Sequence, residues 1–175
     1  MKADYAHIVM GCRRHDRRAQ QALYDSLAPM AMGVCMRYMQ SRAEAQDVMQ
    51  DGFIKVFEKI GRLRDPESLP AWVRKVMVNE CLMRLREVEH HLLADDVQVE
   101  GVTLPLDPFA TEEVVLALQR LAPAQRLAFN LVEVEGYTFE ETADRMHSSE
   151  VNVRALLSRA KCRLRELLTE RKAIE

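Results

Sequence analysis

The chain has 175 residues, of which 48% are hydrophobic and 30% charged, and its formal net charge is −2. These values are typical of a soluble globular protein that forms one domain or two small ones. No apolar run approaches the roughly 20 residues that cross a bilayer, and the first residues, MKADYAHIVMGCRRHD, lack the apolar core of a signal peptide. We therefore expect a cytoplasmic protein without membrane insertion.

The four cysteines, Cys12, Cys35, Cys81 and Cys162, are widely spaced and include no CxxC pair. This spacing predicts neither a disulfide framework nor a zinc site. The absence of a Gly-rich phosphate loop and of a nucleophile motif argues against catalysis, and we expect no cofactor. Because each cysteine has apolar neighbours in the sequence, we expect all of them to be buried, reduced thiols.

The N-terminal half has the pattern of consecutive helices. Apolar residues recur at helical spacing over residues 16–38, with Pro29 as a kink or break. Ser41 and Glu44 form a capping box, in which each side chain accepts a backbone N–H at a helix start. The helix that it opens has a wide apolar face and extends to Ile60.

A turn, LRDPES, then leads into a long helix that is predicted to run from Ser68 to about Glu89. No segment of the chain alternates between apolar and polar residues as a half-buried strand does. The predicted fold class is therefore all-α.

Charge is unevenly distributed. Residues 91–113 contain six acidic and no basic residues, whereas the segments on either side are close to balanced. This acidic stretch also contains Gly101, Pro105 and Pro108 and has no helical period, so it is predicted to be a flexible linker. We expect two small helical domains, over residues 1–90 and 111–175, joined by an acidic linker over residues 91–110.

The C-terminal third has the pattern of a helix, a tight turn and a basic second helix. Thr138 and Glu141 form a capping box that opens a short helix ending near Met146. Ser148 and Ser149 can cap a second helix, whose apolar positions recur every three or four residues. These positions are Val153, Leu157, Ala160, Leu164 and Leu167 or Leu168.

The second helix is strongly basic, with seven basic and two acidic residues between Arg154 and Lys172. A capped helix, a short turn and a basic helix with polar residues at its start together predict a helix-turn-helix that enters a DNA groove. The isoelectric point of about 6.2 is low for a protein that binds DNA alone. We therefore expect a larger partner to assist DNA binding.

The blocks AEAQDVMQDGFIKVFEKI and LPAWVRKVMVNECLMRL, followed by the terminal helix-turn-helix, resemble in order and spacing a sigma factor of the extracytoplasmic-function group. The segment TEEVVLALQRLAPAQRLAFNLVEVEGYTFEETADRM also resembles the start of the family's sigma-4 domain, with Pro123 as the first residue of a helix. The resemblance covers residues 8–170 and implies a sigma-2 domain, a linker and a sigma-4 domain. It implies promoter-specific initiation of transcription with core RNA polymerase, and an anti-sigma factor as a further partner.

The resemblance implies that the helix from Glu44 to Ile60 docks on the clamp coiled coil of the polymerase. An acidic rim around an apolar centre would suit a basic helical hairpin. The residues implied in polymerase binding are Asp47, Gln50, Asp51, Phe53 and Val56.

The turn at residues 63–68 and the following helix match the family's segment that melts and reads the minus-10 element. Its candidate DNA-binding residues are Arg64, Ser68, Arg74, Lys75, Asn79, Arg84 and Arg86. Trp72 could stack on a base, but its place in the apolar stripe favours core packing. Relatives continue into a more basic run, whereas Glu80, Glu87 and Glu89 interrupt the positive charge here, which predicts weaker, more selective or more polymerase-dependent melting.

The second helix of the helix-turn-helix matches the family's reader of the minus-35 element. Its candidate DNA-binding residues are Ser149, Glu150, Asn152, Arg154, Ala155, Ser158, Arg159 and Lys161. Relatives carry small polar or basic residues where Ala155 and Leu156 stand, and glycines where His147 and Val151 stand, so base preference does not transfer from them. At His147 a left-handed backbone would cost about 1 kcal/mol or more.

Two alternative classes of function are a helix-turn-helix regulator and an enzyme. A helix-turn-helix regulator with an N-terminal protein- or ligand-binding module would use Leu157, Ala160, Leu164 and Leu168 as an exposed dimer seam. An enzyme is disfavoured, because the histidines at 90–91 and the aspartates at 95–96 fall at a helix end entering the linker, without a ligand pair on a fixed element.

Overall fold

The structure is a computed structural model that describes residues 5–92 and 112–172. The chain divides into two compact units, Met1–Phe109 and Ala110–Glu175. All the secondary structure within the described ranges is helical, which confirms the all-α prediction. Most of the predicted acidic linker, residues 93–110, lies outside the described residues, so its bounds and those of the two domains stay predictions.

Within residues 5–92, the N-terminal unit contains four helices joined by short connections. They are α1 (Tyr5–Arg13), α2 (Arg17–Tyr38), α3 (Arg42–Lys59) and α4 (Leu69–Leu92). Two short 3₁₀ turns, Ile60–Arg62 and Pro66–Ser68, connect α3 to α4. Pro29 lies inside α2, which is continuous through it, so the predicted break does not occur.

Side-chain caps explain where α2 and α3 begin. The Asp16 carboxylate accepts the N–H of Arg18 at 2.8 Å, and the Ser41 hydroxyl accepts the N–H of Glu44 at 3.1 Å. Only one half of the predicted capping box at α3 is present, the bond to the Ser41 hydroxyl. The Glu44 carboxylate accepts the N–H of Gln40, at 3.2 Å, and not that of Ser41. Both caps satisfy N–H groups that have no partner within their helix.

The core of the N-terminal unit lies where α2, α3 and α4 pack together. Leu23, Val48 and Met77 are buried there, one from each helix. The ring of Phe53 on α3 lies 4.7 Å from that of Tyr24 on α2, in a tilted arrangement. This packing fixes which faces of α3 and α4 remain exposed. Trp72 was expected in the core but is only half-buried.

The C-terminal unit also contains four helices among its described residues. They are α5 (Glu112–Gln119), α6 (Pro123–Phe129), α7 (Phe139–Arg145) and α8 (Glu150–Lys172). Pro123 is the first helical residue of α6, as predicted. A π-type turn over Asn130–Val134 extends α6, and Gly136, with φ +75°, turns the chain toward α7.

The helix-turn-helix forms as the sequence predicts. Thr138 and Glu141 make the full capping box at α7, with N–H to oxygen distances of 3.1 and 2.9 Å. Ser149 caps α8 by accepting the N–H of Asn152 at 3.2 Å. The short helix α7 packs on the start of α8 through a cluster around Ala143 and Val153.

The apolar stripe of α8 is core, not an exposed seam. Ala160 and Leu164 pack with Leu118 and Leu121 of the same unit, and Leu157 is 5% exposed. The dimerisation surface that the alternative interpretation requires is therefore already used inside the fold.

The turn between α7 and α8 is a Schellman motif. The N–H of Ser148 bonds the carbonyl of Ala143 at 2.9 Å, and the N–H of His147 bonds that of Asp144 at 3.3 Å. His147 occupies the left-handed position with φ +49° and an exposed side chain. Glycine is usual at this position because it has no Cβ to clash with the backbone.

We expect His147→Gly to stabilise the C-terminal unit by about 0.5–1 kcal/mol, because relief of the left-handed strain exceeds the added entropy of the unfolded chain. Urea unfolding followed by circular dichroism measures the change. His147→Ala is the matched control, since it removes the imidazole but keeps the Cβ. Equal stability of the two variants would show that the strain is negligible.

The cysteines differ in burial. Cys12, Cys35 and Cys81 are buried as predicted, but Cys162 is exposed, so the prediction was wrong there. The sequence near Cys162 is helical, and its position falls on the outer side of α8. Burial raises the pKa of the Cys12 thiol, and Asp16 adds to this effect. Burial also raises the pKa of Cys81, with a contribution from its hydrogen bond with Cys35.

We expect a thiol reagent at pH 8 to modify Cys162 rapidly and the other cysteines only after unfolding, because the reactive species is an accessible thiolate. Counting the released chromophore from Ellman's reagent, with and without denaturant, measures this difference. A rapid phase that persists in Cys162→Ser would contradict the assignment.

Among the described residues, no helix combines the length and apolar character needed to cross a membrane.

Candidate functional site

The outer face of α3 carries an acidic stripe. Asp47, Asp51 and Glu58 are exposed, and their spacing of four and seven residues places them on one side of the helix. Gln50 is exposed beside them. Three of the residues predicted to bind polymerase, Asp47, Gln50 and Asp51, therefore share one accessible surface.

The two apolar residues predicted for this surface lie in the core. Phe53 is 3% exposed and Val56 is 0% exposed, because both point toward the helices packed behind α3. The apolar side chain on the acidic stripe is Ile54, which is 56% exposed. Sequence reasoning missed Ile54, although it stands seven residues after Asp47 and three after Asp51, at helical spacing from both.

Ion pairs between described residues link α3 to α4. An Arg84 guanidinium nitrogen lies 3.3 Å from an Asp51 carboxylate oxygen, and the Lys55 ammonium lies 2.5 Å from the Glu80 carboxylate. They border a shallow cavity of about 220 Å³, here called the α3–α4 groove. The groove is lined by Val48, Asp51, Ile54, Lys55, Glu58, Glu80, Met83 and Arg84.

These pairs change the interpretation of two residues on α4. Arg84 was predicted to bind minus-10 DNA, but it faces α3 and pairs with Asp51. Glu80 was predicted to weaken the positive DNA face, but it is 9% exposed and paired with Lys55, so its charge does not reach that face. The side chains of Glu87 and Glu89 lie outside the described part of the structure.

A different side of α4 is open to solvent. Lys75, Asn79 and Arg86 are exposed, and their spacing of four and seven residues brings them onto one side of the helix, here called the α4 face. Arg74 lies off this face, half-buried and engaged with other residues of the protein. Two of the predicted cations on α4, Arg74 and Arg84, are therefore separated from the others.

The turn before α4 holds the remaining minus-10 candidates. Arg64 is exposed, and the Ser68 hydroxyl donates to the carbonyl of Asp65 at 2.7 Å. The Asp65 carboxylate in turn accepts the N–H of Glu67 at 3.1 Å, which fixes the turn. Ser68 therefore stabilises the turn, and Arg64 is its exposed cation.

The polar residues in the first turn of α8 are held by local contacts. Arg154 pairs with Glu150 at 3.1 Å, and its guanidinium lies 4.0 Å above the Phe139 ring on α7. The Asn152 amide donates to the Ser148 hydroxyl at 2.8 Å. These contacts position the start of α8 against α7.

Lys161 lies off the outer side of α8. It pairs with Glu133, in the π-type turn that extends α6, at 2.8 Å. This ion pair connects the middle of α8 to the rest of the unit. Leu156 is also directed inward, against the cluster of Ala143 and Val153.

The outer side of α8, here called the α8 face, presents Val151, Ala155, Ser158 and Arg159. Arg159 is exposed, and no ion-pair partner for it occurs within residues 5–92 and 112–172. Val151 is 77% exposed and was not among the predicted contacts. Its spacing of four residues from Ala155 does not reveal this exposure, because an apolar pair at helical spacing is ordinarily assigned to the core.

A capped scaffold helix, a Schellman turn and a second helix with an exposed outer side define a helix-turn-helix protein of the DNA-binding class. The sequence also matches the models of two protein families, sigma-70 region 2 over residues 23–90 and sigma-70 region 4 over residues 111–164. The chain belongs to the sigma-70 family of RNA polymerase sigma factors, in its extracytoplasmic-function group, which confirms the resemblance.

Curated relatives agree with this assignment. The chain is 32% identical over 129 residues to the ECF RNA polymerase sigma factor SigM of Mycobacterium tuberculosis, a match that covers 71% of this chain and 64% of the relative. It is 30% identical over 145 residues to the RNA polymerase sigma-E factor of Streptomyces coelicolor, covering 77% of each chain. The match thus spans just under two thirds of the length of SigM.

Solved structures share the fold. The sigma factor RpoE of Bartonella quintana, solved in complex with the anti-sigma factor NepR, aligns with a TM-score of 0.57 at 23% identity and covers 85% of this chain and 96% of that chain. CnrH, solved with the cytosolic domain of CnrY, aligns with a TM-score of 0.52 at 20% identity, covering 97% of this chain and 99% of that chain.

Proposed function

We propose that this protein binds core RNA polymerase and directs it to promoters by reading their minus-10 and minus-35 elements. The observation that carries the proposal is the presence of sigma-70 regions 2 and 4 in one chain, in that order. We assign polymerase binding and the minus-10 element to residues 1–90, and the minus-35 element to residues 111–175. Residues 91–110 serve as the tether between them.

The acidic stripe of α3 is the proposed polymerase surface. Asp47 and Asp51 supply negative charge at its rim, Gln50 lies beside them, and Ile54 supplies the exposed apolar centre. A basic helical hairpin such as the polymerase clamp coiled coil complements this arrangement, because charge steers the encounter and apolar burial holds the complex. Phe53 and Val56 support the surface from the core.

The α4 face and the turn before it are the proposed minus-10 surface. Lys75, Arg86 and Arg64 provide cations for the backbone of a separated strand, and Asn79 provides a hydrogen-bonding group for a base. Arg74 and Arg84 are not part of this proposal, because they lie on other sides of α4.

The α8 face is the proposed minus-35 surface. The start of the second helix of a helix-turn-helix meets base edges in the major groove, and phosphate contacts fix its register. Ser158 and Arg159 face outward. The other candidates make contacts within the protein that stabilise the helix and its packing; they are Ser149, Glu150, Asn152, Arg154 and Lys161.

We expect Arg159→Ala to reduce discrimination between the cognate minus-35 element and a scrambled one by about tenfold, as for the loss of one arginine contact to a base. Arg163→Ala is the matched control, because it removes the same charge from a residue paired with Glu166 at 2.9 Å. Competition binding of the two duplexes to the holoenzyme measures the ratio. Equal ratios for the two variants would argue against a direct contact by Arg159.

The role we propose is that of a binding factor in the cytoplasm, where RNA polymerase works, and it includes no catalytic step or cofactor. The aligned sigma factor RpoE was solved with the anti-sigma factor NepR bound, and CnrH with the cytosolic domain of CnrY. The first of these complexes supports an anti-sigma factor as a further partner of this chain.

The direct test is binding of the purified, fluorescently labelled protein to bacterial core RNA polymerase, followed by anisotropy at near-physiological salt. Saturable binding, followed by promoter-specific transcription from the reconstituted holoenzyme, is the expected result. A folded protein that does not bind core polymerase would overturn the proposal.

A further inference from the structure

The start of α8 carries an exposed aliphatic side chain at a position where a helix-turn-helix meets bases. Val151 is the second residue of α8, and 77% of it is exposed, more than any other large hydrophobic residue within the described ranges. Isolated exposed aliphatic residues are common on protein surfaces. The position of Val151 on the α8 face is therefore more informative than its exposure alone.

The polar neighbours of Val151 make contacts with other residues of the protein. Glu150 is paired with Arg154, whose guanidinium rests on the Phe139 ring, and the Asn152 amide bonds Ser148. One turn further along the same side, the half-buried Ala155 adds a second methyl-bearing residue. Val151 and Ala155 thus form an apolar pair on the outward side of the first two turns, and the exposed polar side chains of Glu150, Asn152 and Arg154 lie to either side of it.

We infer that the apolar pair selects the 5-methyl group of a thymine in the minus-35 element. This inference rests on the proposed function, because it requires α8 to enter the major groove. There, thymine alone among the bases presents a methyl group, whereas the other bases present a C–H or polar groups. Valine and alanine can neither donate nor accept a hydrogen bond, so a polar base edge against them would lose water without gaining a partner.

Deoxyuridine provides the probe, because it pairs like thymidine but lacks the methyl group. A holoenzyme of bacterial core polymerase and the full chain first selects a minus-35 element from duplexes in which that element is random. Each thymine of the selected element is then replaced, one at a time, by deoxyuridine. At one position or two adjacent positions we expect affinity to fall about fourfold, the effect of losing one buried methyl group.

Variants connect this loss to the apolar pair. Val151→Ser should bind the thymine and deoxyuridine duplexes equally, whereas Val151→Thr, which keeps one of the two methyl groups, should retain part of the preference. Met10→Ser removes an exposed apolar side chain from the other unit and should retain all of it.

The outcomes separate the inference from the function on which it rests. A holoenzyme that selects an element but binds every deoxyuridine duplex as tightly as the thymine duplex overturns the inference alone. So does a thymine preference that survives unchanged in Val151→Ser. A holoenzyme that selects no element, or does not form, overturns the proposed function together with the inference.

Discussion

Replacing Asp51 by arginine is expected to weaken binding to core RNA polymerase by roughly 100-fold, or about 3 kcal/mol, the scale of a close charge pair at an interface. Asp51 lies at the centre of the acidic stripe, and its side chain is 55% exposed. The substitution replaces an attraction to a basic hairpin by a repulsion, and it leaves the buried face of α3 unchanged. Circular dichroism should therefore show full helicity.

The pair between Asp51 and Arg84 provides the control for this experiment. If Asp51→Arg acted only by breaking that pair, Arg84→Ala would weaken polymerase binding as strongly. We expect Arg84→Ala instead to bind equally well or more tightly, because it leaves Asp51 available to the polymerase. The pair itself is exposed and contributes at most about 1 kcal/mol to stability. Unchanged affinity of Asp51→Arg would remove the acidic stripe from the polymerase interface.

Local signals in the sequence were sufficient to place the starts of several helices and the buried side of α8. The capping box of Thr138 and Glu141 marks the start of α7, and Pro123 marks that of α6. The stripe from Val153 to Leu167 identifies the buried side of α8. In each case the relevant partners lie within a few turns of one another, so spacing alone is informative. Pro29 is the exception, since α2 continues through it despite the missing N–H.

Burial and ion pairing that depend on contacts between helices could not be predicted from local sequence patterns. Phe53 and Val56 are apolar in an apolar-rich helix, and only the packing of α2 and α4 shows that they are buried while Ile54 is not. Arg84 and Glu80 likewise look like members of one charged helix surface. Their pairing with Asp51 and Lys55, 33 and 25 residues away, depends on the tertiary fold.

The exposure of Val151 likewise depends on the packing of its helix. A valine at helical spacing from other apolar residues would ordinarily be assigned to the core. The phase of the helix, set by the buried Val153 and Ala160, places Val151 on the opposite side. The sequence pattern therefore predicts a helix that reads DNA, but the identity of its outward side chains required the packing of α8 against α5 and α7.

Helices α1 and α2 approach each other closely at Gly11 and Ala19, two residues that the sequence does not mark. A Cβ added to Gly11 would lie 2.4 Å from the Cβ of Ala19. The chain also turns back at this point, because the Gly11 carbonyl accepts the N–H groups of Arg14 and Asp16 at 3.0 and 3.1 Å. The Ala19 Cβ is fixed to the backbone, so no side-chain rotation can relieve the contact, and the helices would have to move apart.

Gly11→Ala is accordingly expected to destabilise the N-terminal unit by about 2 kcal/mol, as for overpacking of a tight helix contact. Urea unfolding followed by tryptophan fluorescence measures this unit specifically, because Trp72 is the single tryptophan of the chain. Gly61→Ala is the matched control, since a Cβ there would meet no atom within 4 Å, and its stability should change by at most about 0.5 kcal/mol.

The double variant Gly11→Ala with Ala19→Gly separates steric conflict from other effects of the new methyl group. Ala19→Gly alone costs about 1 kcal/mol through helix propensity. In the double variant it also makes room for the new Cβ, so the combined loss should be smaller than the sum of the two single losses. Additive losses, or a Gly11→Ala variant as stable as Gly61→Ala, would mean that α1 can shift on α2 at little cost. The close packing of α1 would then not be required for the stability of the unit that carries the acidic stripe.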